Sequence, residues 1–199
     1  ERSSADSLAA AELLIFDLDG TLIDSQRDLV ESVNATRRHM AMDALEPALI
    51  ASYVGNGAPV LIARSLGPEA SETDVARGLE YFLAYYREHM LDNTDLYPGV
   101  REALDRLHMA GRPMAVLTNK PVRFSTEIVE GLSLSGHFLR VYGGNSFEHK
   151  KPHPVGIETL MAEAGAAASR TVMVGDSAVD IRTARAAGVF ACGVTFGFQ

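Results

Sequence analysis

The sequence predicts an α/β protein whose core is a parallel sheet with helices on both faces, plus an inserted helical block. Three observations predict it. Four short apolar runs do not alternate with polar residues, so both faces of each should be buried, as in a parallel sheet. Segments of helical period lie between those runs, the strand–helix rhythm of an α/β protein. Residues 26–93 break that rhythm and carry helical patterns alone.

The first apolar run, Leu13-Leu14-Ile15-Phe16, reads as the opening strand. Helix patterns follow at Leu29 to Met40, Pro59 to Leu66 and Val75 to Leu91. Gly99 to Ala110 places Val100, Ala103, Leu104 and Leu107 at helical spacing, and Gly111 supplies the stop. Met114–Leu117 is the second strong strand, Thr126 to Leu132 the next helix, and Leu139–Tyr142 a weaker strand. Val155 to Ala164 and Val179 to Ala187 read as helices around the strand Thr171–Val174, and Ala191–Val194 is the last strand. The domain reading is a discontinuous Rossmann-like core, 11–24 with 95–199, and a helical cap, 25–94. The hinges fall near Asp24-Ser25 and between Thr94 and Pro98.

A chain of 199 residues suffices for one core and a small extra domain. A formal net charge of −8 argues against nucleic acid, whose phosphate backbone demands a basic face. Small phosphorylated ligands need only a local cluster of positive groups and remain open. The single cysteine, Cys192, forbids an internal disulfide and sits in an apolar run, where a buried small hydrophobe is expected. Residues Glu1 to Ala10 are polar, lack the basic and apolar parts of a signal peptide, and read as a frayed end. No stretch approaches the length of a membrane span, so a cytoplasmic setting is expected.

Ligands of open parallel sheets bind at the carboxyl ends of the strands. Here Asp17-Leu18-Asp19-Gly20-Thr21 follows the first strand and Thr118-Asn119-Lys120 the second. Gly175-Asp176-Ser177-Ala178-Val179-Asp180 follows Thr171–Val174. Each piece alone has a bland reading as a turn, loop or helix cap. Together they bring acidic groups from distant stretches to one edge. Close carboxylates repel by about 4 kcal/mol per pair at 4 Å with an effective dielectric of about 20, so such a cluster calls for a proton or a cation. Oxygen ligands without a His or Cys partner favour Mg²⁺ over zinc, and Mg²⁺ beside few carboxylates suits phosphoryl transfer.

Asp17-Leu18-Asp19-Gly20-Thr21-Leu22 resembles the first motif of the haloacid dehalogenase-like hydrolases. Thr118 resembles the second motif, Lys151-Pro152 the third and Gly175 to Asp180 the fourth, in the family's order. The resemblance implies Asp17 as nucleophile, through an aspartyl-phosphate, and Asp19 as general acid and base. It implies that Thr118 and Lys151 hold the phosphoryl oxygens, with backbone N–H groups of Leu18 and Asn119. Mg²⁺ would lie on Asp17, Asp176 and the Asp19 backbone carbonyl, with Asp180 one shell behind. The family's dehalogenases lack a second aspartate, so Asp19 favours phosphate chemistry. The Lys-Pro-His-Pro context points to Lys151 rather than Lys150; His149 and His153 are given no metal role. Gly55-Asn56-Gly57 lacks the third glycine and the preceding strand of a dinucleotide fingerprint.

The inserted block resembles a family cap that closes over the site. Asp17 to Ser25, Tyr53 to Gly57, Leu117 to Pro121, Lys150 to Pro154 and Gly193 to Gly197 resemble the phosphoglycolate phosphatase-like subfamily. That implies 2-phosphoglycolate as substrate, with Asn56 and Arg64 as candidates to meet its carboxylate. A sugar phosphomutase or pyrophosphatase of the same fold, or a non-catalytic binding protein, stays as an alternative. Family members usually continue past the string at Gly197 with another strand and helix, which leaves open a cut end or a missing edge element. The expected partner is a small phosphorylated substrate, with neither nucleic acid nor membrane; monomer and homodimer remain open.

Overall fold

The computed structural model describes residues 11–198; the expected frayed end lies outside them. The strands in chain order are β1 (Leu13–Phe16), β2 (Ile23–Asp24), β3 (Asp95–Leu96), β4 (Met114–Leu117), β5 (Arg140–Tyr142), β6 (Thr171–Gly175) and β7 (Phe190–Gly193). The helices between β2 and β3 are α1 (Gln26–His39), α2 (Pro47–Ala51), α3 (Ala58–Leu66) and α4 (Glu72–His89). Beyond β3 come α5 (Val100–Met109), α6 (Val122–Gly131), α7 (Val155–Ala164) and α8 (Ala178–Ala186).

The main sheet has the order β5-β4-β1-β6-β7, and all its pairings are parallel. This is the expected α/β architecture. Every residue of β1, β4 and β6 is buried, which is why those strands read as unbroken apolar runs. Successive side chains of β1 go to opposite faces. Leu14 and Phe16 join a large apolar cluster with Leu104, Phe124 and Ile128. Leu13 and Ile15 join a second cluster with Ile157, Leu160 and Ala184. Each such buried side chain contributes about 1.5–3 kcal/mol.

The cap-side apolar residues Ile50, Leu61, Ile62, Phe82 and Tyr86 belong to the first cluster, so the helices of 26–89 pack continuously with one sheet face. Ser71 and Asp74 form a reciprocal cap at the start of α4. The two chain segments that join these helices to the sheet run side by side, because β2 and β3 pair antiparallel. Buried Asp28, at the start of α1, locks that crossing. Its carboxylate accepts from the backbone N–H and Nδ2 of Asn93 and from the N–H and Oγ1 of Thr94, at 2.7–3.0 Å.

Some expectations need correction. The last strand starts at Phe190 rather than Ala191, and it is not buried on both faces. It is an edge strand, paired only with β6, so Cys192 is half-buried. Helix α6 begins at Val122, four residues before the apolar period suggested, because Pro121 supplies a helix start that periodicity does not register. The short α2, opened by Pro47, carries no sequence signal, because five residues are too few to display a period. No helix among the described residues is long and apolar enough to cross a membrane.

Candidate active site

The parallel register sets the ends of β4, β1 and β6 level with one another. Phe16 is opposite both Val116 and Val174, so Asp17, Thr118 and Asp176 all emerge at one edge. The N–H of Asp17 still donates to the Val174 carbonyl, which fixes its backbone as the last rung of the ladder. The chain then turns sharply at Gly20, whose φ is +79°. A Cβ there would lie 2.4 Å from Asp176 Oδ2, so glycine lets the two loops touch.

Asp17, Asp176 and Asp180 each offer an oxygen, and these oxygens all lie within 4.8 Å of one another. Lys151 stands against this group with its side chain 2% exposed, 3.0 Å from Asp17 Oδ1 and 2.6 Å from Asp180 Oδ1. The lysine at the carboxylates is therefore Lys151; Lys150 is exposed and donates to the Asn56 carbonyl. Burial works to lower the Lys151 pKa, but the Asp17 and Asp180 carboxylates outweigh it and hold the ammonium charged. The other Asp180 oxygen accepts from the Ser177 N–H and hydroxyl, so both of its oxygens are engaged. Asp176 accepts from the Phe198 N–H at 2.8 Å.

Burial pushes the Asp17 carboxyl up to about 7; Asp180 adds to the rise, while Lys151 and the Leu18 N–H oppose it. Burial also raises Asp176. These three hard oxygen donors carry more negative charge than one lysine balances, which fits a divalent cation. The sign of the linkage is testable. The folded value for Asp17 lies above the unfolded 3.8, so its contribution to stability is full below the unfolded value and lost as pH rises through about 7. A divalent cation bound at these oxygens would take the place of that proton. Melting curves with and without cation should therefore show a larger gain in Tm at about pH 8 than at about pH 5.5.

Asp19 lies in the same loop, but its carboxylate is engaged elsewhere. It accepts from Lys120 Nζ at 2.9 and 3.0 Å and from the Ser25 hydroxyl. Lys120 in turn donates to the hydroxyl of Tyr86, on α4, at 2.7 Å. Lys120 and Tyr86 are both buried; the sequence places Lys120 in the polar string after β4 without a role and gives Tyr86 none. Their pairing spans 34 residues of chain and two structural layers, which no local pattern carries. The Leu18 N–H donates to Asp17 Oδ1 at 2.7 Å. Asn119 Nδ2 donates to the carbonyls of Gly55 and Lys151, tying the cap loop to the sheet edge.

These groups line a partly open cavity of about 50 Å³. Asp17, Asp19, Thr118, Asn119, Lys120 and Asp176 line it from the sheet, and Gly55, Gly57, Leu61, Phe82 and Tyr86 from the cap. Neither Asn56 nor Arg64 lines it. Asn56 gives its backbone carbonyl to Lys150. Arg64 is exposed, because Leu61, Ile62, Ser65 and Leu66 take the buried face of α3. His149 and His153 are exposed and stand outside the carboxylate group.

A carboxylate at the end of a central parallel strand, with a lysine and two further aspartates around it, marks a class of hydrolase. The chain belongs to the haloacid dehalogenase-like hydrolase family, whose model matches residues 14–194. Within that family the likeness narrows. A phosphoglycolate phosphatase of Vibrio parahaemolyticus is 40% identical over 194 residues, covering 94% of this chain and 85% of the relative. One of Chromobacterium violaceum is 38% identical over 196 residues, covering 96% and 88%. The crystal structure of a predicted phosphoglycolate phosphatase from Haemophilus somnus has a TM-score of 0.89 at 33% identity, covering 94% of this chain and 87% of that one.

Proposed function

We propose that this chain is a Mg²⁺-dependent phosphatase that hydrolyses 2-phosphoglycolate through a phosphorylated Asp17. The observation that carries the reading is the placement of Asp17. Its carboxylate is bridged through Lys151 to Asp180, lies within 4.8 Å of an Asp176 oxygen, and lines the cavity between sheet and cap. Relatives of the same family that bear the name phosphoglycolate phosphatase, at 38–40% identity, support the choice of substrate.

In this mechanism Asp17 attacks phosphorus while Asp19, released from Lys120 and protonated from solvent, gives that proton to the departing ester oxygen. Asp19 then takes a proton from water, which attacks the acyl phosphate and returns Asp17 and inorganic phosphate. Thr118, Lys151 and the backbone N–H groups of Leu18 and Asn119 hold the phosphoryl oxygens as charge builds on them. Asp17 and Asp176 would hold Mg²⁺, with the Asp19 carbonyl, and Asp180 would orient Lys151 and that site. When bound, Mg²⁺ supplies charge neutralisation on the phosphoryl group. Residues 25–94 act as a cap that excludes water, on a core of 11–24 and 95–199.

Purified protein assayed on a panel of phosphate esters tests this. Phosphate release from 2-phosphoglycolate should exceed that from sugar phosphates and pyrophosphate, and excess chelator should stop it. Ca²⁺, with its larger and looser coordination, should replace Mg²⁺ poorly. Faster cleavage of another ester, or full activity with chelator, would overturn the substrate or the metal.

A further inference from the structure

The proposed substrate carries two anionic groups, and Lys151 with its partners answers only one. We propose that Lys120 is the specificity residue that takes the second, a carboxylate, and that Tyr86 of the cap positions it. This rests on the phosphatase reading above.

Lys120 is the only cationic side chain among the described residues that line the cavity. It is buried, with its side chain 5% exposed, so its charge needs a partner inside the protein. At present that partner is the Asp19 carboxylate. An Asp19 that serves the departing ester oxygen has to give up this ion pair. A substrate carboxylate arriving at Lys120 replaces the charge that Asp19 withdraws, so the ammonium is never left alone. An ester without a second anion offers no such replacement, and Asp19 stays bound to Lys120.

Tyr86 supplies the geometry. Its hydroxyl oxygen accepts from Lys120 at 2.7 Å, which places Nζ 4.6 Å from the ring centroid. Among the described residues nothing accepts the Tyr86 hydroxyl proton, so that proton is available to the same incoming carboxylate. Burial raises the Tyr86 pKa to about 12, which keeps the hydroxyl protonated. Because Tyr86 comes from α4 and Lys120 from the segment after β4, the pair exists only where cap and sheet meet. The substrate's carboxylate is then read by the closed arrangement.

The test compares 2-phosphoglycolate with ethyl phosphate, which has the same two-carbon reach without the carboxylate. The readout is the ratio of their kcat/KM values in the wild type, Lys120→Met and Tyr86→Phe. Lys120→Met also frees Asp19 from its ion pair, which acts on both rates, so absolute activity is not the criterion. Wild-type protein should favour 2-phosphoglycolate. Lys120→Met should lower the ratio by about 10²-fold, chiefly through KM, and should weaken inhibition by glycolate to a similar degree. Tyr86→Phe should lower it by about fivefold, and it serves if Lys120→Met does not fold. An unchanged ratio in the folded variants would overturn the role of Lys120 while leaving the phosphatase reading intact. A wild type indifferent to the carboxylate would overturn the role of Lys120 and the choice of 2-phosphoglycolate as substrate.

Discussion

Asp17→Asn should abolish turnover, with a fall in kcat of at least about 10⁴-fold, while the protein stays folded and binds inorganic phosphate. An amide is no nucleophile toward phosphorus at neutral pH, and no neighbouring carboxylate can stand in. Asp180 has both oxygens committed to Lys151 and Ser177, and Asp176 is held by the Phe198 N–H. The substitution is nearly isosteric and removes a buried carboxyl that burial already pushes toward neutrality. Metal-free Asp17→Asn protein should therefore be at least as stable as wild type near pH 8. Steady-state phosphate release and urea denaturation in chelator check the two halves.

Lys151→Met should be damaging in both respects. The side chain is 2% exposed and its ammonium bridges Asp17 and Asp180. Removing it leaves a buried carboxylate group without its cation, a loss of about 3–5 kcal/mol in the metal-free protein. Added Mg²⁺ should restore part of that stability, because it supplies charge at the same place. Activity should still fall by about 10³-fold, since the donor to the transferring phosphoryl group is gone. Denaturant titrations with and without Mg²⁺, beside kcat on 2-phosphoglycolate, separate the effects. A variant as stable as wild type in chelator would contradict the charge balance drawn here.

The sheet was legible because its central strands are buried on both faces. Leu13–Phe16, Met114–Leu117 and Thr171–Val174 have no reason to carry polar residues, and polar residues begin where each strand reaches the open edge. That same boundary exposed Asp17, Thr118 and Asp176 as neighbours. The exposure of β7 is not visible in its residues, because an apolar run looks the same at a sheet edge as at its centre. Arg64 suits a carboxylate by residue type, but the phase of Leu61, Ile62, Ser65 and Leu66 turns it outward, a signal that was present in the sequence. Lys120 stands in the same polar string as Thr118, but its residue type alone gives it no role. Its meaning depends on Tyr86 and Asp19, contacts that exist only after the helices between β2 and β3 close against the sheet. Phe198 likewise reaches Asp176 from the far end of the chain.

The central claim is that Asp17 takes up the phosphoryl group before water does. Acid-quenched single turnover of 2-phosphoglycolate with Mg²⁺, followed by peptide mass spectrometry, measures this directly. One phosphoryl group should appear on the peptide that contains Asp17, and it should be absent from Asp17→Asn protein. Turnover with no phosphorylated peptide at any quench time, or a phosphoryl group on another residue, would contradict the account.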